Sequence, residues 1–154
     1  MNSHKIIFGG EILERGFWLY LWKVKSDDLI LWYVGRTGDN SSPNAASPFS
    51  RLSLHLDLRD KATANTLVRN LRSHGLEPSN CRFELFSVGP IFPEQATFEE
   101  HKPYRDIVGL LEAELAEYVR SKGHQVMGSH PSRGEYDKGL FTQVKNAVEE
   151  FISG

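Results

Sequence analysis

The feature that most restricts how this chain can fold is a pair of aromatic and branched runs on either side of a short polar stretch. After Gly16 the chain reads Phe17-Trp18-Leu19-Tyr20-Leu21-Trp22-Lys23-Val24. Following Lys25-Ser26-Asp27-Asp28 it reads Leu29-Ile30-Leu31-Trp32-Tyr33-Val34-Gly35. Such side chains favour extended backbone, where they pack across a pleated surface, and two of these runs around a polar turn predict a β-hairpin. With the turn centred between Ser26 and Asp27, Tyr20 stands directly opposite Tyr33 and both rings leave the same side of the sheet.

Beyond the hairpin, residues 35–48 are rich in Gly, Asn, Ser and Pro and predict a loop. Ser47-Pro48 suits a helix start, with Ser as N-cap and Pro at the first helical position, so 49–59 reads as a helix. Its leucines at 52, 54, 56 and 58 also alternate like a strand. A second helix is predicted over 64–74, with Leu67, Val68 and Leu71 apolar and Gly75 as its stop. Residues 81–88 alternate as a third strand. After interruptions at Pro90 and Pro93, a long helix is expected from about 103 to 122 with Pro103 in its first turn. A loop over 128–139 and a helix over about 140–152 complete the chain. The expected fold is α/β (α+β): a small three-stranded, mainly antiparallel sheet flanked by helices, forming one domain over 1–154.

A chain of 154 residues is long enough for one compact core. No stretch approaches the roughly 18 to 20 apolar residues of a membrane span, and Met-Asn-Ser-His-Lys lacks the apolar core of a signal peptide, so the expected location is cytoplasmic with no membrane partner. The single cysteine, Cys81, cannot form an internal disulfide and reads as a small buried residue at a strand start. The net charge of -2 lacks the basic excess usual in nucleic-acid binders. Its distribution is uneven. From 51 to 82 there are six basic residues (Arg51, Arg59, Lys61, Arg69, Arg72, Arg82) against three acids, whereas 94–117 carries seven acids against Lys102 and Arg105.

In the order Tyr20, Tyr33-Val34-Gly35, Arg36, Arg51, His55 and Glu112, the chain resembles the GIY-YIG nuclease superfamily over about residues 16–130. Trp18-Leu19-Tyr20 is a degenerate form of that family's first motif, and Tyr33-Val34-Gly35 closely matches its second. Arg36 matches a basic residue three positions beyond the second tyrosine. Arg51 and His55 match an Arg followed four residues later by Tyr or His, a spacing that puts both on one helical face. Glu112, in Glu112-Ala113-Glu114-Leu115-Ala116, matches the family's glutamate on a later helix, with Glu114 as the alternative if the alignment is shifted. The chain departs from the pattern in having no Asn between Glu112 and Asn146, where it offers Gln125, Ser129 and His130.

The resemblance implies an endonuclease that hydrolyses DNA with Mg²⁺ or Mn²⁺, leaving 5′-phosphate and 3′-hydroxyl ends. In that scheme the two phenols beside Arg36 and Arg51 are biased toward ionisation and orient or deprotonate the attacking water. Arg36 and Arg51 bind the scissile phosphate. His55 is a proton acceptor or a phosphate ligand, so that Tyr20 and His55 are both candidates for the general base. Glu112, beside Leu110, Leu111 and Leu115, holds the metal, which compensates a carboxylate at the edge of an apolar stripe. Arg69 and Arg72 join Arg36 and Arg51 on a DNA-facing surface. The alternative is a catalytically inactive nucleic-acid-binding or scaffolding module that keeps the fold. His124 and His130 lack companions at zinc-ligand spacing and read as loop residues.

Overall fold

The structure, a computed structural model, describes residue 1 and residues 3–27, 29–39 and 44–154. The predicted hairpin consists of β1 (Gly16–Ser26) and β2 (Leu29–Arg36). Its register differs from the expected one. Ser26 pairs with Leu29, so the turn is centred one residue later, and Tyr20 faces Gly35 while Tyr33 faces Trp22. Asp27 adopts a left-handed conformation, φ 50°, which aspartate tolerates in turns. That conformation lets the two strands pair as far as Ser26. Moving the turn centre by one residue moves each residue's partner by two, so every side chain keeps its face. Tyr20 and Tyr33 become diagonal neighbours on one side of the sheet instead of an opposed pair.

The sheet has four strands, not three, in the order β3-β1-β2-β4. β3 (Arg82–Pro93) pairs antiparallel with β1, and β4 (Val126–Met127) pairs parallel with β2 at Trp32 and Tyr33. β3 runs beyond the expected end at residue 88 because it is an edge strand. Pro90 and Pro93, which cannot donate to a ladder, are tolerated there. The pairing shifts between Phe17, opposite Phe92, and Leu19, opposite Val88. Two residues of β4 are too few for any alternation to show in sequence. Half-buried Cys81 lies just before β3.

Helix α1 (Pro48–His55) begins as expected, the Ser47 side chain accepting from the Ser50 N–H, but ends before residue 59. α2 (Thr66–Ser73) is shorter than predicted. α3 (Phe98–Ser121) starts five residues earlier than expected, because Thr97 and Glu100 form a capping box that satisfies its first free donors. Pro103 therefore lies inside the helix and not in its first turn. At the sixth position it removes only one backbone bond. α4 (Lys138–Ser153) is capped by Asp137. Among the described residues no helix is long and apolar enough to cross a membrane.

Both faces of the sheet are covered. Phe17, Leu19, Leu21, Trp32 and Val34 form one core with Val108, Leu111, Leu115 and Val119 of α3 and Val144, Val148 and Ile152 of α4. Tyr20, Trp22, Val24, Leu31 and Tyr33 form the other with Leu67 and Leu71 of α2 and Leu52 and Leu56. This sandwiching explains why β1 is buried without interruption over its first seven residues. A buried Thr37 clamps the end of β2 to the start of β1. Its hydroxyl accepts from the Trp18 N–H at 2.8 Å and donates to the Gly16 carbonyl, while its own N–H reaches the Trp18 carbonyl at 3.0 Å. Thr37→Val, nearly isosteric, leaves the Trp18 donor and the Gly16 acceptor unpaired and is expected to cost about 1–3 kcal/mol. Urea unfolding of both proteins measures this, and equal midpoints would show that the clamp contributes nothing.

Candidate active site

Tyr20 is the centre of the constellation. Its ring lies across Gly35, where a Cβ would sit 2.4–2.6 Å from two ring carbons and the phenol oxygen. No other residue type fits opposite Tyr20 without displacing it. The phenol oxygen lies 2.7 Å from His55 Nε2 and 3.2 Å from the Arg36 carbonyl oxygen, so one proton is shared between two possible acceptors. The His55 ring, almost wholly buried, stands edge-on to both tyrosines, with centroids 5.6 Å from Tyr20 and 5.4 Å from Tyr33. Helix α1 brings Arg51 to the same place, as the four-residue spacing implies, and its charge bears on the Tyr20 phenol. Arg51 Nη2 also donates to Asp39 Oδ2 at 3.0 Å.

Arg36 and Glu112 lie on the α3 side. Arg36 Nε donates to Glu112 Oε2 at 3.0 Å, and Arg36 Nη1 donates to the Arg105 carbonyl. The carboxylate that was expected to need a metal partner is therefore already paired. The two sets of residues act on each other, since the Glu112 charge reaches Tyr33 and Arg51. The structure thus brings together Tyr20, Tyr33, Arg51 and His55 directly, with Arg36 and Glu112 beside them across the end of β2. It does not bring in Arg72, which faces Glu77 at 3.7 Å. Arg69 is exposed, donates to Thr63 O and Thr66 Oγ1, and its charge reaches Tyr33. Glu114 interacts with Tyr136 and not with this cluster.

Burial governs the ionisation. Both phenols are pushed up from their ordinary range, Tyr20 by burial and then by Tyr33, Tyr33 by burial and then by Glu112; Arg51 opposes both shifts but is outweighed. The expected bias toward ionisation is reversed, because stripping water from a phenolate costs more than one partly screened guanidinium returns. His55 is lowered to about 4 by burial and the Arg51 charge, against the pull of Asp39, so the ring is neutral at pH 7. Glu112 is raised to about 7 by burial, which outweighs the opposing charge of Arg36.

Residues that sequence reasoning missed surround this cluster. Asp39 lies in a stretch of polar loop residues in which nothing singles it out. His101, fully buried, reaches the Gly38 carbonyl at 3.0 Å through Nε2 and packs on Phe17. Gly38 has φ +75°, and a Cβ there would meet the Phe17 ring at 2.6 Å. Together they fix the turn that presents Asp39. His130 Nε2 lies 3.0 Å from the Val34 carbonyl, at the β2 edge that β4 leaves open, and His124 stacks on Trp32. Part of the loop predicted over 35–48, residues 40–43, lies outside the described residues.

Among the described residues no group of three or more His, Cys, Asp or Glu side chains could hold a metal ion. The donor set does not suit an all-protein cage. It fits a hard, largely hydrated cation that needs one carboxylate, because the Glu112 side chain keeps 19% of its surface exposed and lies within the field of Asp39. The chain matches no protein-family model, no curated protein and no solved structure.

The two displaced acid-range groups act oppositely on stability. Glu112 keeps its proton in the fold while the unfolded chain releases it, so its contribution is complete below about pH 4.5 and is lost as pH rises through about 7. His55 stays neutral in the fold, so its contribution is present above about pH 6.5 and is lost as pH falls through about 4. In the wild type they largely offset each other. Glu112→Gln isolates one of them: between pH 4.5 and 8 the wild type should lose up to ~3 kcal/mol relative to the variant. Urea unfolding at the two pH values reads the difference, and a constant gap would show that burial does not raise this carboxyl.

Proposed function

We propose that this chain is a divalent-metal-dependent endonuclease that hydrolyses DNA phosphodiester bonds to 5′-phosphate and 3′-hydroxyl ends. The observation that supports it is the contact between the Tyr20 phenol and neutral His55 beside the Arg51 guanidinium, with the Glu112 carboxyl in electrostatic reach. Arg36 and Arg51 bind the scissile phosphate and offset charge developing on its oxygens. A neutral phenol is a poor base alone, but it can relay a proton. As water attacks phosphorus, its proton passes to the Tyr20 oxygen while the Tyr20 proton passes to His55 Nε2, leaving an imidazolium. This assigns the net acceptor role to His55 and the positioning role to Tyr20, with Tyr33 closing the other side of the ring. A Mg²⁺ or Mn²⁺ ion on Glu112 would supply stabilisation of the leaving 3′ oxygen. Taking up that role requires Glu112 to exchange its ion pair, which frees Arg36 for phosphate.

That same ion pair favours the second reading, an inactive nucleic-acid-binding or scaffolding module in which Arg36 permanently satisfies Glu112. A nicking assay on supercoiled DNA with Mg²⁺ or Mn²⁺ separates the two. The wild type should nick, and Glu112→Gln should fold normally and lose at least a hundredfold in rate. No metal-dependent nicking by the wild type, or a variant within threefold of it, would reject the nuclease reading. DNA binding is a proposal of its own, with Arg69 its exposed contact. Arg69→Ala should lower the dependence of log K on log salt by about one unit, whereas Arg72→Ala, already held by Glu77, should change it little. Equal slopes in wild type and Arg69→Ala would remove Arg69 from the interface.

A further inference from the structure

We propose that Asp39 is a competitor for the phosphate-binding edge of Arg51, holding in the free protein the place that a substrate phosphate oxygen takes in the complex. The substrate class rests on the nuclease reading, but the competition itself does not depend on cleavage.

Guanidinium carries five donors in a rigid fork and binds carboxylate and phosphate through the same two-pronged geometry. In Arg51 one prong, Nη2, is given to Asp39 Oδ2 at 3.0 Å. Nε is buried and has no partner among the described residues. A buried donor left unpaired is costly, and a phosphate oxygen would satisfy it while a second oxygen took Nη2. That requires the Asp39 carboxylate to leave, since two anions cannot share one prong without strong repulsion.

The two partners are unequally held. The Arg51 side chain is 15% exposed and carried by α1, whereas the Asp39 side chain is 36% exposed on a loop supported by the His101 contact to Gly38. The carboxylate is thus the partner free to yield. Its negative charge also bears on Tyr20, Tyr33, His55 and Glu112, so its departure changes the field over the whole cluster.

The test uses the metal-free 154-residue chain titrated with inorganic phosphate at constant ionic strength, following the Arg51 Nε–H resonance, which is assigned by its loss in Arg51→Gln. Asp39→Asn should lower the phosphate Kd at least fivefold. Asp39→Glu, which restores a carboxylate, should stay within twofold of wild type. Arg51→Gln should abolish binding, and adding Asp39→Asn to it should recover nothing. Thermal melts confirm that each variant is folded. An Asp39→Asn variant that binds phosphate no better than wild type would overturn the proposal, as would tightening that persists without Arg51. If the nicking assay fails while these affinities behave as stated, the competition stands and the nuclease reading falls. The converse pair of results removes Asp39 from its role and leaves the nuclease reading intact.

Discussion

The Tyr20 ring rests directly on the backbone at Gly35, and that contact sets the geometry of everything around it. It depends on the hairpin register, which places Tyr20 and Gly35 opposite each other and carries the Arg36 carbonyl to the phenol. The Thr37 clamp keeps the strand ends from fraying. From this base α1 needs only its own periodicity to deliver Arg51 and His55 together, and Arg36, one residue beyond the glycine, reaches back to α3. A slip of one residue would send Tyr20 to the α3 face and dismantle the cluster.

Desolvation then decides what the cluster can do. Arg51 pulls both phenols toward ionisation, yet burial, reinforced by Tyr33, Glu112 and Asp39, outweighs it, and burial likewise governs His55 and Glu112. The consequence is a site at rest with neutral tyrosines, a neutral histidine able to accept a proton, and a carboxyl whose ionisation falls near neutrality. Under the proposed reading, such a cluster would relay a proton from water to His55 instead of presenting a preformed phenolate base.

Much of this was legible because periodicities of two and 3.6 survive burial. The side chains of Tyr20 and Tyr33 were expected on one face and are on one face; Arg51 and His55 were expected together and are together. What was not legible depended on energies that a pattern does not carry. The turn residue moved because Asp27 accepts a left-handed conformation at small cost. The start of α3 moved because a capping box outweighed the usual placement of Pro103. β3 ran on past Pro90 to Pro93 because it is an edge, a fact of topology invisible from its own residues. The Asp39 pairing and the direction of the tyrosine shifts arise from three-dimensional neighbours and loss of water, for which the linear order has no signature.

The brevity of β4 has an outcome for the margin of the sheet. A strand that stops after two residues leaves the neighbouring β2 with unpaired ladder positions, the kind of template on which a second chain can add. At Val34 that opening is plugged by the His130 ring, and at the opposite margin of the sheet Pro90 and Pro93 remove donors from β3. The imidazole and the two prolines thus reduce the number of free ladder groups that the described sheet offers at its two margins.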